Sequence, residues 1–242
     1  MRISKSQIIL AICTLLMPFN SIAQLSDAST RGILYAGVHE SFFIGDYKET
    51  LAAAGKKTNK LGLQIAYLRS LLPENYDYSP VFLGLEGGFT PLGSDDINSA
   101  VGGVFQTQHN AFWLNAKLRY FPWDNAHKVV PFLDAAIGPY WSKAVIKEYV
   151  DTDQVYEIDK LNNTSRNVEL GGGVQIKYKG LTGRDRYLGI SVVYQNVNQL
   201  KTIKRNSAFI DADGFSNYTP TFITPVSWQI KLEITGFHSS HL

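Results

Sequence analysis

The sequence predicts an all-β protein, an eight-stranded antiparallel up-and-down barrel that crosses a membrane. Four long loops would leave one end and three short turns the other. Three observations lead there. Runs of residues alternate apolar and polar side chains with the period-two repeat of a strand whose faces meet different environments. Each run is close to the 9–11 residues that cross a bilayer as a tilted strand. The connections between runs alternate between long and short, as in a barrel inserted from one side.

The chain begins with Arg2 and Lys5, an apolar stretch from Ile8 to Met17, and the small-x-small site Ser21-Ile22-Ala23. This is the pattern of a cleaved secretory signal peptide over residues 1–23, too short in its apolar core to span as a helix. Residues 24–242 then form one domain. Cys13 lies inside the apolar stretch, so it is not placed for lipid attachment, and the mature chain has no cysteine. An exported chain without disulfides depends on packing and backbone pairing. Of 23 basic and 21 acidic residues, cleavage removes Arg2 and Lys5, leaving 21 of each and no net charge. Nothing in that balance favours a nucleic-acid partner.

The first strand, roughly 32–44, is the poorest match, because His39 and Glu40 fall on opposite faces. In the second, Leu61, Leu63, Ile65 and Tyr67 alternate with Gly62, Gln64 and Ala66. In the third, Val81, Leu83 and Leu85 alternate with Gly84, Glu86 and Gly88. The fourth sets Phe112, Leu114, Ala116, Leu118 and Tyr120 against Trp113, Asn115, Lys117, Arg119 and Phe121. The fifth sets Leu133, Ala135 and Ile137 against Phe132, Asp134, Ala136 and Gly138. The sixth, "NVELGGGVQIKYKG", sets Val168, Leu170, Val174 and Ile176 against Glu169, Gln175, Lys177 and Lys179. The seventh alternates Leu188, Ile190, Val192 and Tyr194 with Gly189, Ser191, Val193 and Gln195. The eighth alternates Trp228, Ile230, Leu232 and Ile234 with Gln229, Lys231, Glu233 and Thr235. Residues 45–59, 90–110, 145–165 and 201–224 read as long polar loops; 72–79, 123–128 and 180–185 read as short turns.

Alternation does not say which face is outside; a secreted lipocalin-like carrier would turn its apolar face inward. Three features favour the membrane barrel. The polar face is rich in glycine and alanine, which weaken a solvated strand but make room in a narrow lumen. Aromatics gather near the strand ends, with Tyr120, Phe121 and Trp123 at the short turns and Phe112, Trp113, Tyr140 and Trp141 at the long loops, like interfacial girdles. The loop asymmetry is the third. The apolar face is therefore assigned to lipid. Glu86, Lys117, Arg119, Asp134, Glu169, Lys177, Lys179, Lys231 and Glu233 are assigned to a charge network filling the lumen. Eight strands leave a bore that side chains fill, so a plug is expected and not a pore.

"VVPFLDAAIGPYW" resembles a strand of the small OmpA- and OmpX-like outer-membrane barrels. "LGLQIAYLRSLLP", a short turn and "VFLGLEGGF" resemble the early hairpin of the barrel family that includes PorT-like proteins of Bacteroidota. The resemblance implies an outer-membrane location in contact with membrane lipid and lipopolysaccharide. A filled lumen, the lack of a catalytic set and about 80 residues of long loop, more than connection requires, point to a barrel that acts by binding as a structural or interaction component of an envelope complex, for secretion or assembly. In two respects the chain departs from it: Phe237 is followed by "HSSHL" where many such barrels end on an aromatic, and no peptidoglycan-binding segment follows the barrel strands.

Some barrels resembling this one modify lipid A or phospholipid, which requires a nucleophile, a base and an orienting acid. His39 and Ser41 share a face at the spacing of such a pair, without a third partner. His238 and Ser240 repeat the spacing near the C-terminus, and His109 accompanies Asp95 and Asp96. "DADG" (Asp211–Gly214) and "DTD" (Asp151–Asp153) lack the closing glutamate of a calcium loop. Gly171-Gly172-Gly173 has no following helix to make a phosphate loop. Asn162, Asn163 and Asn217 match the glycosylation triplet, without meaning in a bacterial outer membrane. The expectation is a non-catalytic barrel without metal or cofactor.

Overall fold

The computed structural model describes residues 32–71, 79–123, 127–150, 154–180 and 185–238. The proposed signal peptide, Cys13, "DTD" and Ser240 lie outside these residues, as does half or more of each short turn. Eight strands form the wall: β1 (Gly32–Ile44), β2 (Asn59–Ser70), β3 (Val81–Ser99), β4 (Val104–Tyr120), β5 (Val129–Tyr149), β6 (Val155–Lys179), β7 (Asp185–Val197) and β12 (Val226–His238). Each pairs antiparallel with the next, and β12 returns to β1 with Val38 opposite Leu232, which closes the ring. In lipid such closure is required, because an open edge would leave backbone groups without partners.

The apolar face points outward. Leu63, Leu85, Leu114, Leu133, Leu170, Ile190 and Ile230 are exposed on successive strands, while the alternate residues are buried in the barrel. This is the reverse of a lipocalin-like carrier, whose apolar residues would line the bore. Glycine serves the inner face by absence of bulk. A Cβ at Gly88 would overlap the Trp113 indole directly opposite it, and one at Gly62 would overlap the His39 imidazole.

Two of the expected long loops are strands. The wall strands β3 to β6 run for 19, 17, 21 and 25 residues, well beyond the 9–11 that cross a bilayer. Residues 90–99 and 104–110, with 145–149 and 155–165, therefore continue β3 to β6 as a four-stranded sheet above the membrane. Their alternation is hidden because outward positions such as Ser94, Asp96, Gln106 and Gln108 meet water, while inward ones mix Asp95 with Ile97. The register slips between Pro91 and Gly93, where Gly93 takes a φ of +105°.

Residues 45–59 contain a helix, α1 (Gly45–Ala53), which buries Tyr47 and Leu51. The last connection holds β8 (Leu200–Ile203), β9 (Phe209–Ile210), β10 (Ser216–Asn217) and β11 (Pro220–Ile223). There β8 pairs with β11, and β9 adds in parallel to the end of β3. The buried faces of this segment, Ile203 and Ile210, meet Ile97, Phe105, Ala144 and Ile146 in a small core against the sheet.

Candidate functional site

The inward alternation of β3, β4, β5, β6 and β12 brings seven charged side chains together in the bore, all at or near complete burial. Arg119 and Asp134 are directly opposite in the β4–β5 register. Arg119 donates from Nε to Asp134 Oδ1 at 2.7 Å and from Nη2 to Oδ2 at 2.8 Å. The same Nη2 reaches Glu233 Oε2 at 2.9 Å. Lys117 bridges Glu86 at 2.6 Å and Asp134 at 2.9 Å. Lys231 bridges Glu86 at 2.9 Å and Glu169 at 2.8 Å. Three cations and four carboxylates thus form one continuous chain of contacts across the barrel. Fork geometry and shared partners offset the large cost of removing these ions from water.

Glu169 Oε1 is held by amide donors, with Asn167 at 2.9 Å, Asn115 at 3.0 Å and Gln195 at 3.1 Å. Tyr35 donates to Glu86 Oε2 at 2.6 Å, and the Arg119 guanidinium lies 3.9 Å from the Phe132 ring centroid and 4.8 Å from that of Tyr35. Tyr35 is the component that sequence reasoning missed. Strand one carried the weakest alternation, and its tyrosine reads as apolar until its hydroxyl partner is known. The asparagines and glutamines were visible on the polar faces, without a signal for their shared carboxylate.

Of the nine charges assigned to the network, seven meet. Lys177 and Lys179 keep the inward parity, half-buried and exposed respectively, but stand nearer the short-turn mouth. Lys177 is six residues past Gly171, the residue opposite Asp134, about 20 Å along a strand.

Apolar layers close the bore on both sides of the ions. Ile33, Tyr35, Leu68, Phe82, Phe121, Val130 and Phe132 pack at the short-turn side. Phe43, Leu92, Trp113, Tyr140 and Ile223 pack with Tyr47 and Leu51 of α1 at the other. The girdle assignment is corrected for three residues. Trp113, Tyr140 and Phe121 point inward into these layers, the first two with rings stacked at 6.4 Å. Period two sends neighbours to opposite faces, so adjacent aromatics cannot both meet lipid. Phe112, Tyr120, Trp123 and Trp141 are exposed as expected.

The candidate catalytic pair lies beneath the outer apolar layer. His39 and Ser41 are buried, and His39 Nε2 hydrogen-bonds Thr90 Oγ1 at 2.9 Å with the ring edge against Trp113. Asp211 of "DADG" accepts from the backbone N–H of Phe215 at 2.8 Å and from Asn217 Nδ2 at 2.8 Å, so its carboxylate organises its own turn.

Above the membrane, Asp95 gathers three segments. Lys56, after α1, lies 3.1 Å away, Arg205 of the last connection 3.2 Å, and His109 of β4 3.5 Å. Burial raises the Asp95 carboxyl's pKa, but contacts from His109, Arg205 and Lys56 outweigh it and hold the group below the usual carboxylate range. Burial lowers His109, only partly countered by Asp95. A small cavity of about 10 Å³ beside His109, Arg205 and Tyr47 is at the lower limit of the room one water needs.

The fold resembles that of Neisserial surface protein A, with a TM-score of 0.52, 9% identity, and coverage of 86% of this chain and 98% of that one. Ail, the attachment invasion locus protein of Yersinia pestis, aligns over 86% of this chain and 98% of its own at 14% identity and a TM-score of 0.42. A major outer membrane protein from Thermus thermophilus aligns over 84% and 97% at 14% identity and a TM-score of 0.44. No family model and no curated protein matches the sequence. The likeness is one of fold. The chain has the architecture and the lipid-facing surface of a small bacterial outer-membrane barrel.

Proposed function

We propose that this is a non-catalytic, non-conducting barrel of the bacterial outer membrane that acts by binding, as a structural or interaction component of an envelope complex. Secretion and outer-membrane assembly are the settings this reading names, with residues 1–23 acting as the export signal and 24–242 as the mature domain. The observation that carries the reading is the sheet formed by β3 to β6 above the membrane. A barrel needing only to span would end its strands at the interface, whereas this one continues them, exposing Val104 and Tyr156, and packs against them a last connection that exposes Phe215.

The closed bore supports the same reading. Ions tied to one another between two apolar layers offer no path for a solute. A lipid-modifying centre at His39 and Ser41 would have to act from inside the barrel, with the imidazole already engaged by Thr90.

Photo-crosslinking residues placed at Val104, Tyr156 and Phe215 in intact cells test the proposal. A recurrent envelope-protein adduct is expected at these positions and not at Leu133 on the lipid face. Recovery of the uncrosslinked monomer alone at native abundance overturns the complex-bound role.

A further inference from the structure

We infer that the outer wall of β5 and β6, at the boundary between the apolar band and the extracellular sheet, binds the phosphate of a glycolipid headgroup in the outer leaflet. The inference rests on the outer-membrane reading above and names a ligand class for one face of the wall.

The register places the groups. Trp141 lies opposite Phe112 on one side and Thr164 on the other, and Trp141 and Phe112 are both exposed, which marks the interfacial level. The next outward row upward pairs Lys143 with Asn162, and the row above pairs Val145 with Lys160. One row below Trp141, Arg166 stands opposite Pro139 and is exposed. An outward arginine at that depth must turn its guanidinium up to the headgroups, keeping its stem along the apolar surface. Lys143, Lys160 and Arg166 thus line one strip of the wall above and below an exposed indole, Lys160 and Arg166 about 20 Å apart along β6 with Asn162 and Thr164 between them.

The charge of this wall is distinctive. Glu157 is its nearest acid, at 3.7 Å from Lys143 and 3.3 Å from Lys160, and offsets one of the three cations. On the β3–β4 side, the corresponding outward positions carry Ser94, Asp96, Gln106, Gln108 and Asn110, and the cations that reach them are already engaged, Lys56 by the Ser94 carbonyl at 2.7 Å and by Asp95, and Lys147 by Gln108 Oε1 at 2.8 Å. The β5–β6 strip is thus the stretch of wall where three cations share one acid. A phosphate with acyl chains matches both parts of the site: the cations and amide take the anion, and Trp141, Phe112 and Ile137 take hydrocarbon.

Native mass spectrometry of the full-length mature barrel tests this, released from phosphatidylcholine nanodiscs doped with bisphosphorylated lipid A. Retention of lipid A is expected for the unaltered protein. The combined variant Lys143→Ala, Lys160→Ala and Arg166→Ala should lose it about a hundredfold, because each cation at a charged lipid surface contributes roughly fivefold. The charge-preserving variant Lys143→Arg, Lys160→Arg and Arg166→Lys should retain it, as should Lys204→Ala in the last connection. Equal retention by the triple alanine variant overturns the inference. So does displacement of the lipid by millimolar inorganic phosphate, which would mark a site for the free anion. Heat-modifiable migration on gels reports folding of each variant; failure of the unaltered protein to insert would instead strike the outer-membrane reading.

Discussion

Arg119 and Asp134 face each other across β4 and β5 and join through two parallel hydrogen bonds at 2.7 and 2.8 Å, deep in the barrel. The same guanidinium holds Glu233, so removing it would leave buried Glu233 without its cation and Asp134 with Lys117 alone. Arg119→Ala should cost about 3–5 kcal/mol, the usual penalty for breaking a buried pair from one side. Urea titration in detergent micelles would show it as a lower midpoint. Arg119→Met combined with Asp134→Leu should recover part of the loss. An unchanged midpoint for Arg119→Ala would show that the fork contributes nothing.

Gly88 lies against the Trp113 indole with no room for a side chain. Gly88→Val should destabilise the barrel by roughly 1–3 kcal/mol, as overpacking does. Trp113→Ala in the same chain should restore heat-modifiable folding. Failure of that second change to help would disprove the steric account.

Lipid-facing and water-facing outward positions should respond differently to charge. Leu170 is exposed on β6 within the apolar band, and Val104 is exposed on β4 above it. Leu170→Arg should weaken insertion into vesicles by about 2–4 kcal/mol, the usual cost of a cation near the midplane. Val104→Arg should leave insertion unchanged. Equal effects would misplace the band.

The Asp95 cluster should make the extracellular cap sensitive to acid. His109 is buried between Asp95 and the cations Arg205 and Lys56, and its folded pKa lies below the ordinary 6.5. A depressed folded pKa means that the unfolded or released chain binds the proton more readily. The His109 contribution is thus whole above 6.5 and is lost as the pH falls from there toward the folded value. Asp95 acts in the same direction at lower pH, below the ordinary carboxylate value of 3.8. Limited proteolysis of the 198–225 connection should accelerate between pH 7.5 and 5.5, and His109→Gln should flatten that dependence. A pH-independent cleavage rate in the unaltered protein would count against the clasp.

Planar bilayers provide a check on closure. The reconstituted protein should show no steady conductance, because the ions are bracketed by apolar layers. Leu51→Asp on α1 should disturb the outer layer and produce transient openings. Sustained conductance by the unaltered barrel would contradict a filled bore.

The membrane-crossing half of this architecture was readable because lipid imposes strict alternation. Leu114, Leu118 and Tyr120 against Asn115, Lys117 and Arg119 leave one orientation once the charges must be sealed. Above the interface both faces can be polar, and β3 through Ser94, Asp96 and Asn98 gives the pattern of a loop although it is a strand. Adjacent aromatics were misleading for a related reason: composition places Trp113 and Tyr140 near the interface, but only parity tells which way each ring turns. The ions were assigned to the lumen by sign and face. Their partners depend on register across strands far apart in sequence, such as Lys231 with Glu86, which no local pattern encodes.

The pairing of Val38 with Leu232 joins stretches separated by nearly the whole domain. Until the final strand is delivered, β1 and β7 both remain raw edges, and no stable intermediate can be left in hydrocarbon. Closure of the seam must therefore wait for the whole domain, a pairing of high sequence separation that forms late and slowly. Loss of only the last few rungs of that seam would convert a durable cylinder into a sticky, open curtain destined for proteolysis.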